Sequence, residues 1–175
     1  LYGRRQTRPL KVVHQSALKN FLPLLKIDLP QEIPPEIPLD PKTLFEQACV
    51  DICLEVGFGG GEHLLEKATQ NPTTGFIGCE PYLNGIAHFL KAFSTKNLSN
   101  VRLFMNDALI LLNRLAPSSL SSAFILFPDP WPKKRHHKRR FFQKETLEGL
   151  HRVLKPGGSV YIATDHAAYL EWILS

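Results

Sequence analysis

The sequence predicts an α/β fold, a mostly parallel sheet with helices on both faces. Two observations predict it. From Val50 onward, short apolar runs of strand length alternate with amphipathic runs of helix length. Glycine- and proline-bearing turns separate those runs, at Gly57–Gly61, at Asn71-Pro72 and at Lys155–Gly158. A chain of 175 residues is long enough to bury a core of this kind as one domain.

The elements follow in order. The first 29 residues open basic, with Arg4, Arg5, Arg8 and Lys11 ahead of any acid, and then show a short helix over Val12–Leu25. Pro23 disturbs its last turn. Pro30, Pro34, Pro35, Pro38 and Pro41 exclude a helix interior or a central strand and mark an extended linker. Asp40-Pro41 then reads as an N-cap with proline at N1, opening a short helix to Glu46. Residues 1–41 therefore form a basic N-terminal segment, short helix and linker, and residues 42–175 the α/β domain.

Within that domain, Val50–Val56 is an apolar strand ending at Gly57, and Glu62–Gln70 is a helix stopped by Asn71-Pro72. Thr74–Glu80 is the second strand. Tyr82–Thr95 is a helix with Leu83, Ile86, Ala87, Leu90 and Phe93 on one face. Asn100–Met105 is the third strand, Ala108–Leu115 a helix, and Ala123–Phe127 the fourth strand. Phe141–Leu154 is a helix with Phe142, Leu147, Leu150, Val153 and Leu154 facing inward. After a turn over Lys155–Gly158, Ser159–Ala163 is the fifth strand, and His166–Leu174 a helix without a C-cap, so that more chain is expected beyond Ser175.

Composition narrows the class. At 43% hydrophobic and 21% charged residues the chain is not a disordered one. Three cysteines are too few for a disulfide scaffold, and Cys49, Cys53 and Cys79 sit in or beside core strands as buried thiols of a reducing cytoplasm. Apolar runs such as Ala123–Phe127 are far short of a membrane span, so no membrane partner is expected. The net charge is +5, but residues 133–140 read KKRHHKRR and hold six cations and no acid. The rest of the chain carries 15 cations against 16 acids. Such concentration points to a polyanionic partner or to a solvated basic run.

Ligands of open α/β sheets bind outside the carboxyl ends of the strands. The first strand ends in Glu55-Val56-Gly57-Phe58-Gly59-Gly60-Gly61, a turn that brings backbone close to a ligand. A dinucleotide fingerprint would place its third glycine at position 62, where this chain has Glu62. Glu80 ends the second strand, where a carboxylate accepts from ribose hydroxyls. Asp107 follows the third, either accepting from an adenine amino group or capping the next helix. Glu55 lies within an apolar strand and needs a partner there. Acids at the ligand end suit a cationic ligand.

These residues resemble the S-adenosylmethionine site of a Rossmann-like methyltransferase, with Glu55, Gly57, Gly59, Glu80 and Asp107 binding the cofactor and Asp129 reaching it too. The segment Phe127-Pro128-Asp129-Pro130-Trp131, followed by the basic run to Arg140, resembles the tRNA (guanine-N7)-methyltransferase family, as do Tyr2-Gly3-Arg4-Arg5 and Ala163-Thr164-Asp165. The resemblance implies S-adenosylmethionine-dependent methylation of a guanine in the variable loop of tRNA, in the cytoplasm, by a monomer or homodimer. That family carries a T-x-F-E segment near its C-terminus, and neither it nor the last strands of the fold are expected in these 175 residues.

The chemistry assigns roles. N7 of guanine bears a lone pair and no proton, so methylation needs orientation and charge management rather than a general base. N7 must stay free, so the base is held by its N1–H and N2 donors, which suit a carboxylate. Asp129, on a proline-braced loop, is the first choice as catalytic residue, and Asp165 the second, as a substrate contact. Trp131 either stacks on the extruded base or anchors the loop. Lys133 meets guanine O6 or a phosphate, and Arg135, Lys138, Arg139 and Arg140 meet phosphates. His136 and His137 contact RNA or solvent, since adjacent histidines with no ligand at zinc spacing do not make a metal site. Two other readings stay open, a non-catalytic RNA-binding subunit and, further off, an NAD-dependent oxidoreductase.

Overall fold

The strand over Asp51–Val56 (β1) is buried on both faces along Ile52–Glu55 and forms the middle of the sheet. The computed structural model describes residues 9–29 and 37–175. Expectations resting on Tyr2, Gly3, Arg4, Arg5, Arg8, Pro30, Pro34 and Pro35 lie outside the described residues. In chain order, α1 (Val12–Leu25) precedes β1, which is followed by α2 (Glu62–Gln70), β2 (Thr74–Cys79) and α3 (Leu83–Phe93). Then come β3 (Val101–Phe104), α4 (Ala108–Arg114), β4 (Leu120–Leu126), α5 (Lys144–Val153), β5 (Leu154–Ala163) and α6 (Ala167–Leu174). The strands lie in the order β3-β2-β1-β4-β5, every neighbour parallel.

Side-chain alternation along the strands divides the core into two layers. Ile52, Leu54, Ala123 and Ile125 face α4, α5 and α6, where Leu111, Leu112, Leu150, Val153 and Tyr169 complete a buried cluster. Cys53, Phe76 and Leu103 face α1, α2 and α3, packing with Leu25, Leu64, Ala68, Ile86 and Leu90. α1 rests on α3, the rings of Phe21 and Phe93 meeting edge-on at 6.1 Å. Cys49, Cys53 and Cys79 are free thiols, all buried.

Several boundaries differ from the sequence reading for identifiable reasons. The helix after Asp40 is one 3-10 turn, Pro41–Leu44, with the Asp40 carboxylate accepting from Lys42 N–H at 3.0 Å. Lys155–Gly158 is not a free turn. Leu154 already pairs with Leu120, so β5 runs from Leu154 through a register irregularity where Gly157 takes φ +80°. Leu147 is 51% exposed. The inward stripe of α5 is instead Thr146, Gly149, Leu150 and Val153. Gly149 faces α4, where a Cβ would make an ordinary contact with Leu112 at 3.4 Å. The basic run forms a further 3-10 helix, Lys134–Arg139, which hydrophobic periodicity does not reveal.

Asn100, at the foot of β3, is 1% exposed, and its amide donates to the carbonyls of Ala68, Asn71 and Thr74 at 2.9–3.1 Å. One side chain thus closes the end of α2 onto β2. Asn100→Ala leaves those carbonyls without this donor and should lower stability by about 1–3 kcal/mol. Urea unfolding of the variant checks this, with an unchanged m-value expected.

Candidate active site

Strand order reverses between β1 and β4, and that is where an open α/β sheet leaves a crevice beyond its carboxyl ends. A cavity of about 660 Å³ opens there. The first four strands all lead residues to it: Gly57 after β1, Glu80 after β2, Asp107 after β3 and Asp129 after β4.

The turn from β1 into α2 forms one wall. Gly57 has φ +73°, and no atom lies within 4 Å of where a Cβ would stand, so the bare backbone is open to whatever fills the cavity. α3 presses on the far side of this turn. A Cβ on Gly85 would stand 2.6 Å from the Gly59 carbonyl oxygen, so only glycine permits this approach.

Glu80 holds the floor. One carboxylate oxygen accepts from Gly59 N–H at 2.9 Å and the other from Tyr82 N–H at 2.8 Å. The residue is buried, and burial lifts its pKa above the ordinary 4.5. The two backbone N–H groups oppose that lift, and the charge of Asp129 adds to it. Each oxygen uses one lone-pair direction on backbone and keeps another for a ligand.

Glu55 is placed differently. Its carboxylate turns toward α2 and meets His63 Nδ1 at 2.8 Å, away from the residues that line the cavity. Burial raises its pKa and the His63 bond works against that rise. The His63 ring lies 4.9 Å from Phe124, which stacks on Tyr161 at 4.9 Å and 11°. The partner that a strand-buried acid requires is thus eight residues away, across the glycine turn. Asp107 takes the capping role foreseen for that position, accepting from Leu109 N–H of α4 at 3.0 Å, and it also borders the cavity.

The segment after β4 crosses the mouth of the cavity. Phe127 N–H still bonds to Ala163 at 2.8 Å, after which the chain leaves the sheet. Phe127 and Trp131 have φ of +52° and +43°, a left-handed geometry unusual for bulky side chains. Between them Asp129 is exposed and faces Glu80 across the opening. Trp131 is half-buried, with the Arg139 guanidinium 5.0 Å from its ring centre and His136 edge-on at 5.7 Å. Burial, and then Arg139, Arg135 and Lys133, keep the His136 pKa below 6.5.

The basic run does not present one face. Lys133, Lys134, Arg135 and Lys138 are exposed. His137 turns edge-on to Trp172 at 5.5 Å. Arg140, expected as a phosphate contact, is 4% exposed and points inward. Lys138, Arg139 and Arg140 line the cavity, whereas Lys133, Arg135 and Asp165 do not. Sequence reasoning passed over Asn106, Glu145 and Thr146, which also line it. The position of Glu145 in the first turn of the helix after the basic run was the available signal for that acid. Among the described residues no cluster of His, Cys, Asp or Glu is arranged to hold a metal, and no helix is long and apolar enough to cross a membrane.

Known proteins match both the sequence and the fold. A family model described as "Putative methyltransferase" matches residues 50–175. The tRNA (guanine-N(7)-)-methyltransferase of Agrobacterium fabrum is 46% identical over 173 residues, covering 99% of this chain and 73% of that protein. The protein of the same name from Azorhizobium caulinodans is also 46% identical, with the same coverage. Among solved structures, an antibiotic-related methyltransferase superposes with a TM-score of 0.53 at 20% identity, over 70% of this chain and 62% of its own. That likeness shows the fold, a Rossmann-like α/β sheet, and the sequence matches show the family: this chain belongs to the tRNA (guanine-N7)-methyltransferases.

Proposed function

We propose that this protein methylates N7 of a guanine in the variable loop of tRNA, with S-adenosylmethionine as donor, forming 7-methylguanosine. The observation that carries the reading is the placement of Asp129. It sits at the mouth of an acid-lined crevice, on a loop that runs directly into four exposed cations.

The cavity suits the donor. Glu80 keeps one acceptor direction per oxygen for the two ribose hydroxyls, Asp107 stands where an adenine amino group would be met, and the open backbone at Gly57 admits close approach. Acids at the strand ends favour a sulfonium over a diphosphate, and Glu55 adds its charge from behind the glycine turn. When bound, S-adenosylmethionine supplies an electrophilic methyl group.

The chain's own residues orient the acceptor. Asp129 accepts from N1–H and the N2 amine of guanine, which leaves N7 free, and its charge offsets the positive charge that develops on the base. No residue needs to remove a proton from N7, because there is none. Trp131, with one face covered by Arg139, anchors the loop at the mouth of the cavity. Lys133, Arg135 and Lys138 hold the RNA backbone.

Three measurements test the reading. Glu80→Gln keeps one acceptor but sets an amide NH2 against a backbone N–H, and donor affinity by calorimetry should fall about 10- to 100-fold. In the parent protein, affinity should fall with acidification at a pH above 4.5, and the Gln variant should lack that fall. Folding stability takes the opposite sign. The folded state holds the Glu80 proton more tightly than the unfolded state, so this group's contribution is lost as pH rises from 4.5 through the raised pKa.

Asp129→Asn removes the charge and the paired acceptor, so the single-turnover rate on unmodified tRNA should drop about 100-fold or more while donor affinity stays near normal. A near-parental rate would move the guanine contact to another acid, Asp165 first. Replacing Lys133, Arg135 and Lys138 by Gln should reduce the salt slope of tRNA binding by about one for each phosphate no longer neutralised. An unchanged slope would make the run a solvated surface.

A further inference from the structure

We propose that Arg140 is a positioning residue that locks the Asp129 loop onto α6, and not a contact to RNA. The inference rests on the reading of Asp129 as the catalytic acid.

Arg140 is the one cation of the basic run that is buried, at 4% exposure. Its Nε–H donates to the carbonyl of Pro130 at 2.8 Å, so it grips the residue directly after Asp129. Its guanidinium lies 5.0 Å from the ring centre of Tyr169 and 4.9 Å from that of Trp172. Both rings belong to α6. The clamp is itself tied down. Trp172 Nε1–H donates to the Phe142 carbonyl at 2.9 Å, and the Gln143 amide donates to the His137 carbonyl at 2.8 Å. Contacts thus run unbroken from α6 through Arg140 to the catalytic loop.

Burying a guanidinium is costly unless its donors and charge are matched. Here the Pro130 carbonyl takes the Nε–H and two aromatic rings attract the charge, and a planar fork suits that slot as an ammonium cannot. The loop has need of such an anchor. Its two ends, Phe127 and Trp131, hold left-handed conformations that persist only when surrounding structure enforces them. Pro130 has no N–H, so its carbonyl is the backbone group that remains to be held. A displacement of about 1 Å at Asp129 would misplace the guanine and cost on the order of 100-fold in rate.

The test uses the whole chain. The sequence has two tryptophans, so Trp172→Phe leaves Trp131 as the reporter of the loop. In that background, Arg140→Lys should raise acrylamide quenching of Trp131. It should lower the single-turnover rate at saturating tRNA at least tenfold, with the salt slope of tRNA binding and the donor affinity unchanged. Arg140→Gln removes the charge as well: a salt slope reduced by about one, with Trp131 quenching and the rate at saturating tRNA both unchanged, would make Arg140 a phosphate contact and overturn the proposal. If Arg140→Lys does not fold, Trp172→Leu decides. It removes one ring of the clamp without touching a charge. Against Trp172→Phe it should loosen Trp131 and slow the reaction, and a folded variant matching Trp172→Phe in both readouts overturns the proposal. Were the parent protein to transfer no methyl group to tRNA, the functional reading would fall, while quenching of Trp131 would still decide whether Arg140 anchors the loop.

Discussion

Glu80 is a buried acid whose two oxygens are each committed to a backbone N–H, one on the turn after β1 and one at the entry to α3. That double acceptance fixes the distance between the two loops at the crevice floor. The carboxylate stays buried because those donors offset much of its desolvation, and its remaining lone pairs face the cavity. The cost of burial is visible in its raised pKa. Close packing of α3 against the glycine turn, which Gly85 permits, depends on the same geometry.

The opposite wall is held by different physics. There a proline-rich loop leaves β4 with strained backbone at both ends, and aromatic rings and guanidinium groups restrain it. Arg139 covers Trp131, and Arg140 fits between Tyr169 and Trp172. The KKRHHKRR run therefore combines two kinds of residue. Lys133, Lys134, Arg135 and Lys138 remain in solvent, whereas the histidines and the last two arginines turn onto rings. A segment that exposes four cations also braces the loop beside it.

Charge is accordingly divided across the crevice. Acids gather where β1, β2 and β3 end, with Glu80, Asp107 and, behind the turn, Glu55 with His63. Exposed cations gather beyond Asp129. Asp129 sits at the junction, close enough to Glu80 to raise its pKa. The crevice thus presents opposite charge in adjacent regions, as the proposed cationic donor and anionic RNA would require.

By itself the sequence determined the α/β alternation, the ends of α1 and α2, and the acids at the strand ends, because hydrophobic period, caps and strand-end position are local properties of the chain. It likewise marked Asp129 by the prolines around it. Tertiary structure alone decided the rest. Arg140 and Lys138 carry the same charge, and only the arrival of α6, with Tyr169 and Trp172, buries one and leaves the other in water. Glu55 had to find a partner, but that it is His63 depends on how the glycine turn aims α2 back over β1. Leu147 is as apolar as Leu150, and only the packing of α5 against α4 and the sheet decides which of the two is buried. Each of these outcomes depends on which element packs where, and a contact between residues distant in the chain leaves no periodic trace in the sequence.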